Sequence, residues 1–93
     1  MSKEKVHVEF FYSPTCPYCP AAKKMLYEIA EQYAEILQIE EIDAWSKGGE
    51  PRAARYEVQL VPSIVINGEK RMEGIPNRKL ISDTIAEAVA RRD

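Results

Sequence analysis

The feature that most constrains this chain is Cys16-Pro17-Tyr18-Cys19, which holds both of its cysteines, two residues apart, between an apolar run and a stretch of helical period. Val6, Val8, Phe10 and Tyr12 alternate with His7, Glu9 and Phe11, which predicts a strand that is half-exposed at its start and apolar on both faces near Phe10-Phe11. Ser13-Pro14 ends the strand, because proline has no N–H for a ladder and restricts the residue before it. Beyond the pair, Ala21, Met25 and Ile29 join Ala22, Leu26, Ala30 and Tyr33 as one apolar face, with Lys23, Lys24, Glu28, Glu31 and Gln32 opposite. That spacing predicts a helix over Ala21–Tyr33 and puts the cysteines on a strand-to-helix turn. If Cys16 opens the helix, the sulfurs lie within one turn and can join or separate. Pro17 suits an opening helical position, whereas Pro20 implies an irregular first turn, since its missing N–H would face the Cys16 carbonyl.

A helix N-terminus carries unpaired N–H groups and about half a positive charge, which favours a thiolate over a thiol. Cys16, nearest the helix start, is the expected nucleophile. Cys19, about one turn in, should be more covered and resolve the mixed disulfide. Two other readings of the pair stay open. A zinc site needs four ligands, and the only other nitrogen or sulfur donor of that kind is His7, so a metal or iron–sulfur centre would require a dimer. A static disulfide would close so short a loop that little chain entropy is removed. His7 itself stands four strand residues before Phe11, about 13 Å from it at ~3.3 Å per residue and away from the cysteines, so no catalytic role is expected for it.

A second strand is expected over Ile36–Asp43, parallel to the first through the intervening helix. Residues Ala44–Pro51 read as the loosest stretch, with Trp45 either capping a core edge or meeting a partner protein. A short helix is expected over Arg52–Val58, then strands Ser63–Ile66 and Glu69–Glu73 joined by Asn67-Gly68, a hairpin signal because both turn residues must take positive φ. Asn77 is the expected N-cap of a last helix whose inward stripe is Leu80, Ile81, Thr84, Ile85, Ala88 and Val89, with Arg91 and Arg92 suiting its C-terminal dipole. The succession β-α-β-α-β-β-α predicts an α/β fold, a four-stranded mixed β-sheet with helices on both faces and the cysteines at the carboxyl end of the first strand.

At 93 residues, one domain spanning 1–93 can bury somewhat more than ~60% of its unfolded surface. A net charge of −2 with interspersed signs lacks the basic excess of a nucleic-acid binder. No stretch approaches the ~20 apolar residues of a membrane span, and Met1–Lys5 shows no apolar leader, so a cytoplasmic location is expected.

Cys16-Pro17-Tyr18-Cys19, Val61-Pro62, the Ile66-Asn67-Gly68 hairpin and Gly74 together resemble the thioredoxin/glutaredoxin superfamily, in particular its small, glutaredoxin-sized archaeal members. The resemblance covers essentially the whole chain and implies the thioredoxin fold and a thiol-disulfide oxidoreductase that reduces protein disulfides. It also implies a cis Pro62 facing the cysteine turn, a Val61 backbone that binds a substrate strand, and a Gly74 that leaves substrate room to approach. Thr15, Pro17, Tyr18, Val61, Pro62 and Gly74 are thus the expected substrate groove. No bound cofactor is expected; electrons would come from an upstream reductase or a low-molecular-weight thiol, and the protein would act as a monomer on disulfide-containing proteins. Glutathione-dependent glutaredoxin activity is the alternative. Glutaredoxins commonly carry a lysine three residues before the first cysteine and a Gly-Gly-Asp-like segment near the last helix, where this chain has Ser13 and Gly74-Ile75-Pro76-Asn77. The buried acid of typical thioredoxins falls on Phe10, so proton transfer from Cys19 would need water or another group.

Overall fold

The strand that leads to the cysteines, β1 (Val6–Tyr12), lies inside the sheet. The computed structural model describes residues 5–91; the expectations for Met1–Glu4 and Arg92 lie outside them. β1 pairs in parallel with β2 (Leu37–Asp43) and antiparallel with β3 (Ser63–Ile66), which pairs antiparallel with β4 (Glu69–Glu73). The four strands stand in the order β2-β1-β3-β4. With α1 (Cys19–Ala30), α2 (Glu50–Arg55) and α3 (Arg78–Arg91), the succession is the one expected.

Alternation along β1 divides the apolar residues between two cores. Val6, Val8 and Phe10, with Ile64 and Ile66 of β3, pack against Ala22, Leu26 and Ile29 of α1 and Ile81 and Ile85 of α3. Phe11 and Val65 face the other way and, with Ile42, meet Ala53 of α2, Ala44 and Val58. Each large aliphatic or aromatic side chain so buried contributes about 1.5–3 kcal/mol. All four residues of β3 are buried, as suits a strand covered on both faces.

The hairpin is a tight turn, with φ of 51° at Asn67 and 84° at Gly68 and Ile66 opposite Glu69. The Asn67 side chain also accepts the His7 N–H at 2.9 Å, and its own N–H reaches the His7 carbonyl at 2.8 Å, so the turn is fastened to the start of β1. In β4 the pairing skips Arg71: Ile64 faces Met72 while Val65 faces Lys70. This bulge turns Met72 into the core and sets Glu73 opposite Ser63.

Several expectations are corrected. α1 stops at Ala30, and a 3-10 turn over Ala34–Ile36 leads into β2. α2 runs Glu50–Arg55 instead of Arg52–Val58, since Pro51 is accepted in the first turn and Glu57, at φ 56°, ends it. Leu80 is 43% exposed; it occupies the third helical position, where its N–H is capped by Asn77 Oδ1 at 2.9 Å, and the core contacts of α3 come from Ile81, Ile85, Ala88 and Val89. The 44–51 stretch is not loose. The Asp43 carbonyl accepts the Ser46 N–H (3.2 Å) and hydroxyl (2.8 Å), the Ser46 oxygen accepts the Gly49 N–H (2.9 Å), and the Ser46 carbonyl accepts the Glu50 N–H (2.8 Å). Trp45 is 47% exposed and belongs to neither core.

Glu9 departs furthest from its sequence reading. It is 2% exposed on the α2 side of β1, where Arg52 meets both it and Glu40, at 2.6 Å for the Glu40 pair, and His7 Nε2 lies 3.3 Å from Glu40. A buried carboxylate is tolerated only when paired, and its partner comes from a helix 43 residues away.

Candidate active site

Where β1 ends, a side chain shapes the turn. The Cys16 N–H donates to the Ser13 carbonyl at 3.1 Å, and the Ser13 hydroxyl accepts the Thr15 N–H at 3.3 Å and pairs with the Thr15 hydroxyl at 3.2 Å. α1 begins at Cys19, not Cys16, and Pro20 instead of Pro17 fills the tolerated first-turn position. The reason is local: a helix running through Cys16 would need an N–H from Pro20. The Tyr18 carbonyl takes the first helical bond, from the Ala22 N–H at 3.0 Å. Cys16 therefore lies in the turn just ahead of the helix's positive end, and Cys19 is the helix's first residue.

The two cysteines are joined as a disulfide with Cα atoms 5.4 Å apart, inside the usual range for such a bond. Their surroundings differ. Cys19 is 5% exposed within the core shared by Phe10 and Ala22, whereas Cys16 lies at the edge of that core and is partly exposed.

Phe11 pairs with Ser63, so the antiparallel register carries Pro62 to the level of Tyr12, beside the start of the cysteine turn. The Val61–Pro62 peptide is cis, as the resemblance implies. Gly74 follows β4, and its N–H donates to the Pro62 carbonyl at 2.8 Å. A Cβ on Gly74 would meet only a Leu60 methyl, at 3.9 Å; within the chain it is the φ of 96° that asks for glycine there. The structure thus brings the cysteine turn, the Val61-Pro62 segment and Gly74 to one end of the sheet. Thr15, Pro17 and Tyr18 are exposed there, Val61 is half-buried and Pro62 is buried.

Sequence reasoning left out two apolar side chains in this neighbourhood, Leu60 and Ile75, and named Trp45 only as a core-edge cap or a partner contact. Leu60 (59% exposed) and Ile75 (71% exposed) adjoin Val61 and Gly74, and Trp45 follows Ala44, whose N–H reaches the Tyr12 carbonyl at 2.8 Å. The usable signal is that each stands in a turn, outside any helical or strand period.

A cleft of about 400 Å³ opens beside the disulfide, lined by Phe10, Tyr12, both cysteines, Lys23 and Glu41 among others. Glu41 stands on β2 directly opposite Phe10, so a carboxylate reaches the cysteine side of the sheet from the neighbouring strand. Its oxygens accept the Tyr27 hydroxyl at 2.7 Å and meet Lys23 Nζ at 3.2 Å. The Tyr27 hydrogen bond, helped by Lys23, holds the Glu41 carboxyl below its ordinary range. Burial and the same contact push the Tyr27 phenol up to about 12. Among the described residues no three His, Cys, Asp or Glu side chains converge as metal ligands would.

The places where glutaredoxins hold glutathione carboxylates are otherwise occupied. Ser13 is 8% exposed and engaged with Thr15, and Asn77 caps α3.

Comparison with known proteins agrees with this geometry. Residues 4–86 match a family model described as a thioredoxin domain. A thioredoxin of Methanocaldococcus jannaschii is 36% identical over 81 residues, covering 87% of this chain and 93% of that protein. A probable thioredoxin of Methanothermobacter thermautotrophicus is 36% identical over 80 residues, covering 86% and 92%. In fold, a mutant thioredoxin from Halobacterium salinarum superposes with a TM-score of 0.74 at 23% identity, over 92% of this chain and 76% of that one. With a disulfide pair at the carboxyl end of β1, a cis proline beside it and these relatives, the chain belongs to the thioredoxin family and is a thiol-disulfide oxidoreductase.

Proposed function

We propose that the protein reduces disulfides of other proteins, with Cys16 as nucleophile, Cys19 as resolving thiol, and Thr15, Pro17, Tyr18, Val61, Pro62 and Gly74 as the substrate groove. The observation that carries the role assignment is the asymmetry of the pair: Cys16 is partly exposed ahead of a helix N-terminus, while Cys19 is buried in the core.

In the reduced protein the Cys16 thiolate attacks one sulfur of the substrate disulfide. The substrate S–S bond breaks, its other sulfur leaves as a thiolate that takes up a proton, and a mixed disulfide to Cys16 remains. Cys19 then loses its proton and attacks Cys16 Sγ, expelling the second substrate sulfur. Two electrons have passed to the substrate, and the chain holds the Cys16–Cys19 disulfide seen in the structure. Cys19 is buried, so its proton needs an acceptor within the site. The Glu41 carboxylate lines the cleft that both cysteines share, and we assign the acceptor role to it together with solvent entering the cleft. A reductase or low-molecular-weight thiol of the cytoplasm returns the electron pair and two protons, and no resident cofactor takes part. The helices show no segment long and apolar enough to cross a membrane among the described residues, in keeping with that setting.

Trapping tests the assignment. Cys19→Ser should accumulate a covalent adduct on Cys16, visible as a mass increase abolished by dithiothreitol, and Cys16→Ser should not reduce insulin at all. Near-normal turnover by Cys16→Ser would overturn it.

A further inference from the structure

The segment that precedes Pro62 belongs to no strand or helix, so no ladder fixes it. Side chains hold it instead. Glu73 Oε2 accepts the Gln59 N–H at 2.6 Å and the Leu60 N–H at 2.7 Å. Its other oxygen meets Lys70 Nζ at 3.1 Å, and that ammonium also donates to the Glu57 carbonyl at 2.9 Å, where α2 has just ended. The Leu60 carbonyl accepts the Ser63 hydroxyl at 2.6 Å. Hydrogen bonds onto a carboxylate are about twice as strong as neutral ones, and a single oxygen here takes two backbone donors. Glu73 reaches them because the bulge at Arg71 advances β4 by one residue and puts Glu73 opposite Ser63.

We infer that Glu73, braced by Lys70, is a positioning residue: it fixes the Gln59–Val61 backbone in the line a substrate strand must pair with, and so governs how well a protein disulfide is held. The inference rests on the groove assignment above and adds a specificity determinant to it. Neither Glu73 nor Lys70 lines the cleft beside the cysteines, so the reactivity of Cys16 is set elsewhere.

Glu73→Ala removes the acceptor for both amides, while Glu73→Gln keeps a neutral one. With insulin as substrate and dithiothreitol as reductant, Glu73→Ala should raise KM about tenfold and change kcat less than threefold, and Glu73→Gln should fall between it and the parent protein. The rate at which iodoacetamide alkylates reduced Cys16 should stay within about twofold in both. Lys70→Ala, which leaves the carboxylate in place, gives a milder increase in KM and serves if Glu73→Ala does not fold. An unchanged KM in all three variants overturns the inference, as does a fall in kcat and alkylation rate matching the rise in KM, which would mark a general disturbance of the site. Failure of the parent protein to reduce insulin would instead count against the proposed function.

Discussion

At the scale of single residues, the pair Cys16 and Cys19 has its chemistry set by neighbours of different ranges. Ser13 and Thr15 close the turn locally, so their part was available to a reader of adjacent residues. Glu41 was not, because it lies on another strand and joins the cleft only through the register that sets it opposite Phe10. Read in sequence, it is one of four polar residues in the Ile36–Asp43 stretch, with nothing to set it apart. Its place in the cleft that Cys19 also lines makes it a candidate acceptor for the Cys19 proton, which predicts that Glu41→Gln slows release of substrate from the mixed disulfide about tenfold in single-turnover quenching, leaving Cys16 alkylation unaltered. General acid–base groups usually contribute about 10²–10⁴-fold, and the low end is expected because the cleft is open and solvent can also accept the proton. Equal rates for the variant and the parent would assign the proton to water alone.

Among the elements, β1, β3 and the hairpin were legible because their signals are short-range: alternation, a continuous apolar run, and Asn67-Gly68. Boundaries that depend on prolines were read less well. Pro17, Pro20 and Pro51 all fit a first helical turn by type, and which one does so depends on where the remaining carbonyls find donors. The 44–51 connection shows the same limit, since its glycine, serine and lysine content gives no hint that Asp43 and Ser46 organise it. Here the backbone passes so close that a Cβ on Gly49 would stand 2.0 Å from the Asp43 carbonyl oxygen. Gly49→Ala should therefore displace the start of α2 and destabilise the protein by about 2–4 kcal/mol, comparable with the larger effects of single substitutions. Urea unfolding measures this, and a change below 0.5 kcal/mol would show that the connection yields freely. Gly48, with nothing near its Cβ position, is the matched control.

Over the whole molecule, the sheet carries two apolar cores and one charged network crossing its α2 side. Arg52 joins the buried Glu9 to Glu40, which His7 also meets. Arg52→Ala leaves the Glu9 carboxylate buried without its partner and should cost about 3–5 kcal/mol at neutral pH. Chemical denaturation tests this, and a loss under 1 kcal/mol would mean the site relaxes enough to hydrate Glu9. The Arg52 hydrogen bond, with a smaller part from His7, lowers the Glu40 carboxyl to about 2. A carboxyl depressed in the folded state stabilises above its unfolded value of about 4.3 and loses that contribution as pH falls toward its folded value. The melting temperature should thus decline between about pH 4.5 and 2, less steeply in Arg52→Ala. Because the Glu40 side chain is 45% exposed, salt should weaken its share of the effect.

The sequence alone determined the order of elements, the hairpin and the position of the redox pair, because each is written in residues close together along the chain, and the resemblance that named its chemistry, because short motifs spread along the chain carry it. The tertiary structure decided which face Glu9 occupies, which carboxylate shares the cleft with Cys19, and that Glu73 holds the backbone before Pro62. Those outcomes depend on strand register, a bulge and partners 13 to 43 residues apart in sequence, and such contacts exist only once the sheet has brought distant segments side by side.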